Sequence, residues 1–316
     1  MSTKYTCILI VIMLVGIVCI NVVTETYREK GEIKVHSIKL GVELNAHSTP
    51  IWIAIYEDLP AKYGLNISRL FKFRSGVELA SAIARGEVDA GYSCLGPILN
   101  LIDIGVDVKI VLKTHNYGYA IVVKPDRIKS VDQLNGSVVY SIGGVVAPTT
   151  LLLLKLQDLR GLVFDIRPIG DPQVALSMLI AGQINAVSLP EHYASLAESL
   201  GMKILLRAQD IWPNMPGSYL VVRGDALRER REAVRMLVEI TRTALRLASA
   251  NKSLAAMSSS RELEIDTDTA LRSVEAIEWT SDIHINEIQE YIDFMFRHRI
   301  LEKRLDANEI VVTNIE

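Results

Sequence analysis

The chain has 316 residues, 49% of them hydrophobic, and a formal net charge of −3. This near balance of charge argues against a general nucleic-acid binder, which needs a basic surface to neutralise phosphates. Cys7 and Cys19 lie in an apolar N-terminal stretch, so Cys94 is the only cysteine in the rest of the sequence. Neither an intrachain disulfide nor a cysteine-rich metal site is therefore expected there.

The apolar N-terminal stretch predicts the compartment. It runs from Cys7 to Ile20 without a polar side chain, and Val22 and Val23 extend it. A cleaved signal peptide needs a small-x-small cleavage site, and none follows this stretch. We therefore favour an uncleaved signal anchor, a single N-terminal transmembrane helix, over a cleaved peptide. Residues 1–32 are predicted as anchor and linker, with the binding domain on the extracytoplasmic face of the cell membrane.

Short β-like runs alternate with helical stretches after this leader. The pattern predicts strands at 38–43, 65–71 and 88–93, with helices at 49–62 and 76–85 between them. Such alternation is typical of βαβ units and a mainly parallel sheet, and hence of an α/β fold. In these sheets ligands bind beyond the carboxyl ends of the strands.

An internal repeat is the strongest feature of the sequence itself. Ser75 is a predicted N-cap, and its helix closes at Gly86, which Glu-Val-Asp-Ala follows. Ninety-six residues later Asp171 precedes a proline and a helix that closes at Gly182, which Gln-Ile-Asn-Ala follows. The N-cap and the closing glycine are eleven residues apart in both copies. This match predicts two lobes of similar design.

Two further strands indicate where the chain passes between the lobes, because 120–126 and 219–225 share an apolar run that turns at basic-x-Asp. The predicted divisions are the first part of lobe 1 at 33–119, lobe 2 at 120–218, and the return strand of lobe 1 with the C-terminal helices at 219–316. The further predicted elements are a strand at 138–142 and helices at 232–250, 267–278 and 285–297.

Several short motifs occur in a fixed order from about Ile38 to Arg223. They include His47-Ser48-Thr49-Pro50, Lys62-Tyr63-Gly64-Leu65, Ser75-Gly76, Arg85-Gly86-Glu87-Val88-Asp89-Ala90-Gly91, Gly96-Pro97, Ser130-Val131-Asp132-Gln133-Leu134 and Leu189-Pro190-Glu191. In order and spacing the chain resembles the nitrate/sulfonate/taurine-type substrate-binding proteins and their relatives that bind thiamine pyrimidine precursors. It departs from them at Asp58-Leu59-Pro60, where the family has a glycine–aromatic pair. The resemblance implies a two-lobed type II periplasmic-binding-protein fold, with mixed, mainly parallel sheets flanked by helices.

Equivalent turns of the two lobes are expected to meet across the cleft, and they supply the predicted ligand-binding residues. Those from lobe 1 are His47, Ser48, Thr49, Ser75, Gly76, Ser93, Cys94 and Leu95. Those from lobe 2 are Gly143, Gly144, Val145, Thr149 and Glu191. No catalytic residue, metal ligand or cofactor is predicted.

The sequence leaves the charge of the ligand open. Gly143 and Gly144 precede a helix N-terminus, which favours an anionic or strongly polar group, although an ordinary flexible turn explains the same glycines. His47 is either a donor to a ligand or a capping or solvated residue of its loop. Glu191 is either solvent-exposed or faces the cavity, and there it would favour a cationic or N–H-rich ligand such as an aminopyrimidine.

The resemblance implies the solute-binding subunit of an ABC importer, a monomer that binds a small molecule and works with permease and ATPase subunits. One alternative is an enzyme on the same fold, of the thiamine-pyrimidine-synthase type. Such enzymes carry a cysteine-rich iron-binding motif, and only Cys94 stands in the corresponding turn. A second alternative is a ligand-sensing ectodomain that signals through a partner.

Overall fold

The structure is a computed structural model that describes residues 36–315. Its strands are β1 (His36–Glu43), β2 (Leu65–Phe73), β3 (Ala90–Cys94), β4 (Val108–Lys113), β5 (His115–Tyr117), β6 (Tyr119–Val123), β7 (Val138–Ile142), β8 (Asp165–Ile169), β9 (Ala186–Pro190), β10 (Lys203–Arg207), β11 (Ser218–Arg223) and β12 (Ile277–Trp279). Its helices are α1 (Thr49–Tyr56), α2 (Leu59–Lys62), α3 (Gly76–Ala84), α4 (Leu95–Asp103), α5 (Pro148–Arg160), α6 (Pro172–Ile180), α7 (Glu191–Ser199), α8 (Ala208–Ile211), α9 (Gly224–Glu229), α10 (Arg231–Ala250), α11 (Lys252–Leu263), α12 (Thr267–Glu275), α13 (Ile285–Arg297) and α14 (Ala307–Ile310).

Two five-stranded sheets organise these elements. The first has the order β2-β1-β3-β11-β4, and the second has the order β10-β6-β9-β7-β8. In the first sheet β1 runs parallel to β3, whereas β11 runs antiparallel to β3 and β4. In the second, β7 runs parallel to β8 and β9, whereas β6 runs antiparallel to β9 and β10. The predicted α/β fold with mixed sheets is confirmed.

The repeated helices begin and end as their local chemistry dictates. Ser75 Oγ accepts the Glu78 N–H at the start of α3, and Asp171 Oδ1 accepts the Gln173 and Val174 N–H groups at the start of α6. These acceptors satisfy N–H groups that have no partner within the helix. The glycines that follow the two helices, Gly86 and Gly182, have φ values of 75° and 73°. Glycine adopts this left-handed conformation without steric cost, which allows each helix to stop there.

Two predicted helices differ from the structure by more than one residue. The helix predicted at 49–62 is two helices, and Asp58 between them has a φ of 53°. The break precedes Pro60, which has no N–H to donate and lies in the first turn of the second helix, where none is needed. The helix predicted at 267–278 ends at Glu275, because Ile277–Trp279 pairs with β5 as the antiparallel strand β12.

The apolar faces of the helices pack on both sheets. One hydrophobic cluster includes Ile98 of α4, Ile121 of β6 and Leu151 of α5, so it joins the two sheets. A second cluster includes Trp52 and covers the first sheet, and a third includes Leu179 and covers the second. Each large side chain buried in this way stabilises the fold by roughly 1.5–3 kcal/mol relative to exposure. This packing holds the strand ends in place.

The chain passes between the sheets through two segments that pair with each other. Tyr117 N donates to Met215 O at 3.0 Å, and Gly217 N donates to His115 O at 3.1 Å. Tyr117 and the following Gly118 have φ values of 64° and 91°. From Ser37 onward the described chain forms one compact unit, so the predicted division into lobes at 119/120 and 218/219 stays a prediction.

The predicted N-terminal anchor lies outside residues 36–315, the part of the chain that the structure describes. Within that part no helix combines the length and the apolar composition needed to cross a bilayer.

Candidate functional site

A small cavity lies where strand ends of the two sheets meet. It encloses about 60 Å³, and its wall includes Glu43 at the end of β1, Cys94 at the end of β3, Gly143 after β7 and His192 after β9. A wider cleft of about 560 Å³ shares part of this wall. Since one water needs roughly 10–15 Å³ of such space, the cavity admits several waters or a small polyatomic group. It is the candidate binding site.

Five helix N-termini converge on the cavity. Its wall contains residues at the starts of α3, α4, α5, α6 and α7, namely Gly76, Cys94, Pro148, Pro172 and Pro190. The first N–H groups of a helix have no partner within it, and they coincide with the positive end of the helix dipole. The positive ends of these helix dipoles therefore favour an electron-rich acceptor in the cavity, although Ser75 and Asp171 already accept first-turn N–H groups of α3 and α6.

Glu43 already places such an acceptor among these helix ends. Its Oε1 accepts the Cys94 N–H at 3.0 Å, and its Oε2 accepts from Asn45 Nδ2 at 2.8 Å. A Cβ on Gly76 would lie 2.7 Å from Glu43 Oε1, so glycine at the start of α3 makes room for the carboxyl group. Burial raises the pKa of Glu43, although the hydrogen bonds from Cys94 and Asn45 oppose the shift.

The Cys94 thiol lies in the same buried group. Its Sγ is 3.3 Å from Glu43 Oε2, to which it donates, and 2.9 Å from the Tyr119 hydroxyl. Burial, reinforced by the negative charge of Glu43, raises the pKa of Cys94 well above its ordinary value. In this environment Cys94 is a neutral thiol.

His47 completes the group, and its tautomer follows from its contacts. Nε2 lies 2.9 Å from the Gly118 carbonyl oxygen, which can only accept, so Nε2 carries the proton. Nδ1 therefore presents a lone pair, and it lies 3.9 Å from Cys94 Sγ and 3.4 Å from the Tyr119 hydroxyl. Burial lowers the pKa of His47 to about 4, so the ring is neutral at physiological pH.

Two more buried histidines lie near this group. The His115 ring centroid is 4.5 Å from that of His47, and burial places the pKa of His115 well below its ordinary value. His192 lines the cavity, and burial lowers its pKa to about 3. His115 Nε2 and His192 Nδ1 are buried and have no hydrogen-bond partner within residues 36–315.

A model of the NMT1-like family matches residues 31–143 and 155–260, which together make up well over half of the chain. The chain belongs to the NMT1-like family.

Solved binding proteins share the fold of this NMT1-like protein. The ligand-binding component of an ABC-type import system from Staphylococcus aureus, solved with zinc bound, has a TM-score of 0.77 at 18% identity, over 89% of this chain and 97% of the other. The alkanesulfonate-binding protein from Xanthomonas axonopodis pv. citri, bound to MOPS, has a TM-score of 0.77 at 18% identity, over 88% and 99%. The periplasmic nitrate-binding protein from Synechocystis PCC 6803 has a TM-score of 0.73 at 15% identity, over 88% and 86%. No curated protein matches the chain in sequence. The predicted resemblance is confirmed.

The cavity of the NMT1-like protein brings together some of the residues predicted from sequence. The predicted residues in its wall are Ser75, Gly76, Cys94, Gly143 and Thr149. Within the described chain the other predicted residues lie outside this wall, and they are His47, Ser48, Thr49, Ser93, Leu95, Gly144, Val145 and Glu191.

The residues outside the wall have other contacts. Ser48 Oγ donates to Glu43 O and Thr49 Oγ1 donates to Ala46 O, so both hold the turn after β1. Ser93 and Leu95 are buried beside Cys94. Val145 is 67% exposed.

The glycine turn and Glu191 are also explained by local contacts. Gly143 and Gly144 both have left-handed φ values, of 86° and 80°. Thr149 Oγ1 donates to Ile142 O at 2.6 Å, so its hydroxyl holds the turn instead of pointing a free donor into the cavity. Glu191 is buried and its Oε1 accepts from Arg207 Nε at 3.2 Å, so its carboxyl group is neither solvent-exposed nor part of the cavity wall.

Sequence reasoning missed several polar residues of the NMT1-like site. They are Glu43, Asn45, Arg74 and Tyr119. A signal existed for Glu43, which is an acid at the carboxyl end of a predicted strand. Tyr119 had none, because it begins an apolar run that indicates only a buried strand.

Proposed function

We propose that this protein is the extracytoplasmic solute-binding subunit of an ABC importer. It captures a small polar or anionic molecule between two lobes and delivers it to a permease. The observation that carries the proposal is the cavity whose wall joins Ser75, Gly76 and Cys94 of the first sheet to Gly143 and Thr149 of the second. The fold supports it, since the proteins that share the fold include binding components for an alkanesulfonate and for nitrate.

The two crossing segments supply the hinge of this clamp. They are short, they pair with each other between the sheets, and the left-handed residues Tyr117, Gly118 and Asn214 lie in them. A few such residues at the ends of elements can absorb the backbone rotation of domain closure. A ligand that contacts both sides of the cavity then shifts the population toward the closed form.

We propose further that the protein performs no chemistry on its solute. A cysteine nucleophile needs a lowered thiol pKa and a basic partner. Cys94 has the opposite environment, since burial raises the pKa of its thiol and lowers the pKa of the neighbouring His47. This favours binding over the enzymatic alternative.

The N-terminal residues 1–32 are proposed to tether the binding subunit to the membrane as an uncleaved signal anchor. The intact mass of the protein extracted from membranes tests this, since a loss of about 2 kDa would show a cleaved peptide.

The clamp is tested with a panel of nitrate, taurine, an alkanesulfonate and an aminopyrimidine. Native mass spectrometry of the purified protein first identifies any small molecule that it retains, and this molecule is added to the panel. We expect one compound to raise the unfolding temperature with concentration and to reduce the radius of gyration in small-angle scattering. A compound that binds at saturation without any compaction would rule out the clamp.

A further inference from the structure

The side chains of Glu43, His47 and Cys94 form a mixed oxygen, nitrogen and sulfur cluster, hereafter the Glu–His–Cys cluster. All three side chains are buried, and their potential ligand atoms all lie within 4.8 Å of one another. A carboxylate, an imidazole and a thiolate together are the donor set that borderline transition metals such as Zn²⁺ prefer. Mg²⁺ and Ca²⁺ take oxygen ligands and do not fit it.

Two of the three distances within the cluster are close to those of an occupied tetrahedral site, and the third, between Glu43 and His47, is at most 4.8 Å. With Zn–S of about 2.3 Å and Zn–N or Zn–O of about 2.1 Å, neighbouring ligand atoms lie roughly 3.4–3.6 Å apart. Cys94 Sγ is 3.3 Å from Glu43 Oε2 and 3.9 Å from His47 Nδ1. These two pairs therefore require shifts of less than about 0.5 Å to match that geometry.

The groups behind the cluster orient the ligand atoms toward its centre. The Gly118 carbonyl accepts the His47 Nε2 proton and so turns the Nδ1 lone pair toward Cys94. This is the usual second contact of a metal-bound histidine. A Cβ on Gly118 would lie 2.5 Å from His47 Nε2, so glycine is required for this approach. Asn45 Nδ2 likewise holds the Glu43 carboxyl group.

Two of the three side chains of the cluster line the cavity. Glu43 and Cys94 are both in the cavity wall, together with Asn45 and His192. Asn45 Oδ1, an acceptor, and His192 Nδ1, a ring nitrogen, are buried and have no partner among the described residues. Native structures rarely leave buried polar atoms without a partner, so both point to a bound group, and Asn45 Oδ1 calls for a donor or a cation.

The charges of the ligands also balance that of a divalent ion. A carboxylate and a thiolate neutralise a divalent ion, which removes most of the cost of burying charge in this apolar environment. The N–H of Cys94 donates to Glu43 Oε1, so this backbone donor faces the carboxyl group of the cluster.

We propose that the Glu–His–Cys cluster binds one divalent transition-metal ion of the Zn²⁺ class, with its fourth coordination position open to the cavity. The proposal rests on the proposed function, which it deepens by making the ion part of the captured solute.

Cobalt provides the test, because tetrahedral Co²⁺ replaces Zn²⁺ and reports thiolate ligation through its absorption. The full chain carries Cys7→Ser and Cys19→Ser so that Cys94 is its only thiol, and it is stripped with chelator and kept reduced. We expect one equivalent of Co²⁺ to give strong visible tetrahedral bands and a near-ultraviolet thiolate-to-cobalt band, both removed by one equivalent of Zn²⁺. Cys94→Ser loses the thiolate band, and Glu43→Gln weakens Zn²⁺ binding in calorimetry by roughly tenfold or more.

His298→Ala is the matched control, because His298 is a histidine paired with Asp158 outside the cluster. It leaves the spectrum and the affinity unchanged. The proposal is overturned if the folded parent chain gives no saturable one-equivalent Co²⁺ signal, or if that signal lacks the thiolate band; this result does not depend on whether Cys94→Ser folds. If nitrate or taurine still compacts a protein that fails this test, the metal site is refuted and the clamp stands.

Discussion

Glu191 begins helix α7 with its carboxyl group buried, and both Arg207 Nε and Ser195 Oγ donate to its Oε1. Its Oε2 has no hydrogen-bond partner within residues 36–315. Burial raises the pKa of Glu191 to about 7, although the Arg207 charge opposes the shift and the Glu198 charge adds slightly to it. Loss of hydration therefore outweighs the ion pair, as expected for a carboxylate that is almost fully enclosed.

This raised pKa predicts that stability falls with increasing pH. The unfolded carboxyl group ionises near 4.5 and the folded one near 7. Between these values the folded protein holds a proton that the unfolded chain has lost, so the free energy of unfolding decreases as pH rises through this window. We expect Glu191→Gln to remove this decrease and to exceed the wild type at pH 8 by on the order of 2–3 kcal/mol. Urea unfolding at pH 5 and pH 8 measures the difference.

Glu198→Gln is the control, since Glu198 lies on the same helix but is exposed. It should retain nearly all of the wild-type pH dependence, because the Glu198 charge adds only slightly to the shift of Glu191. Equal differences between wild type and Glu191→Gln at both pH values would contradict the account.

At the scale of single residues, the site was only partly predictable from sequence, because its side chains contact residues far along the chain. The motif around His47 indicated a functional loop, but the role of the ring depends on Gly118, which is 71 residues away. Nothing local to His47 reveals that contact, and nothing local to Glu191 reveals that Arg207 pairs with it.

At the scale of elements, the cap of α6 makes a measurable contribution. Asp171 Oδ1 accepts the Gln173 and Val174 N–H groups at 2.8 and 3.2 Å. We expect Asp171→Ala to lower the free energy of unfolding by about 1 kcal/mol, because these N–H groups lose their partner. Asp171→Asn retains a side-chain oxygen at the same position and should change it by less than about 0.5 kcal/mol. Both variants remove the exposed contact with Arg74, so the difference between them in chemical denaturation isolates the cap. If both variants lose the same free energy of unfolding, the effect comes from the lost charge of Asp171 and not from the cap.

Elements were predictable from sequence wherever their signals were local. The strand predicted at 138–142 and the helix predicted at 285–297 have those bounds in the structure, because apolar spacing and terminal residues define them. The helix predicted at 267–278 was too long, since residues 277–279 pair with β5 about 160 residues earlier in the chain. A pairing partner at that separation leaves no local pattern.

At the scale of the whole molecule, the two sides of the cavity touch at Gly96. A Cβ on this residue of α4 would lie 2.1 Å from Val146 O and 3.4 Å from Leu151 Cδ1. Val146 belongs to the turn between β7 and α5, on the side of the second sheet. Glycine at position 96 therefore permits the contact between the sides, while alanine would favour helix α4 itself.

Gly96→Ala is expected to hold the proposed clamp open. Overpacking of this kind costs about 1–3 kcal/mol, and the proposed clamp would bear this cost in its closed form, where the two sides meet. The radius of gyration with ligand should stay near that of the free protein, and affinity should fall by roughly tenfold or more. Gly170→Ala is the control, because a Cβ at Gly170 meets nothing within 4 Å. Normal compaction in Gly96→Ala at saturating ligand would show that this contact does not govern closure.

The sequence by itself determined the alternation of strands and helices, the repeated cap and closing glycine of α3 and α6, and the family to which the chain belongs. These depend on residues within one or two turns of each other, where periodicity and capping act. The tertiary structure alone decided the composition of the site. Parallel pairing of β1 with β3 sets Val42 opposite Tyr92, and this register brings Glu43 and Cys94 together at the strand ends. The return of the chain through Gly118 then fixes His47 beside them. The long-range pairings that assemble these groups arise from the packing of the entire chain, so local sequence patterns do not predict them.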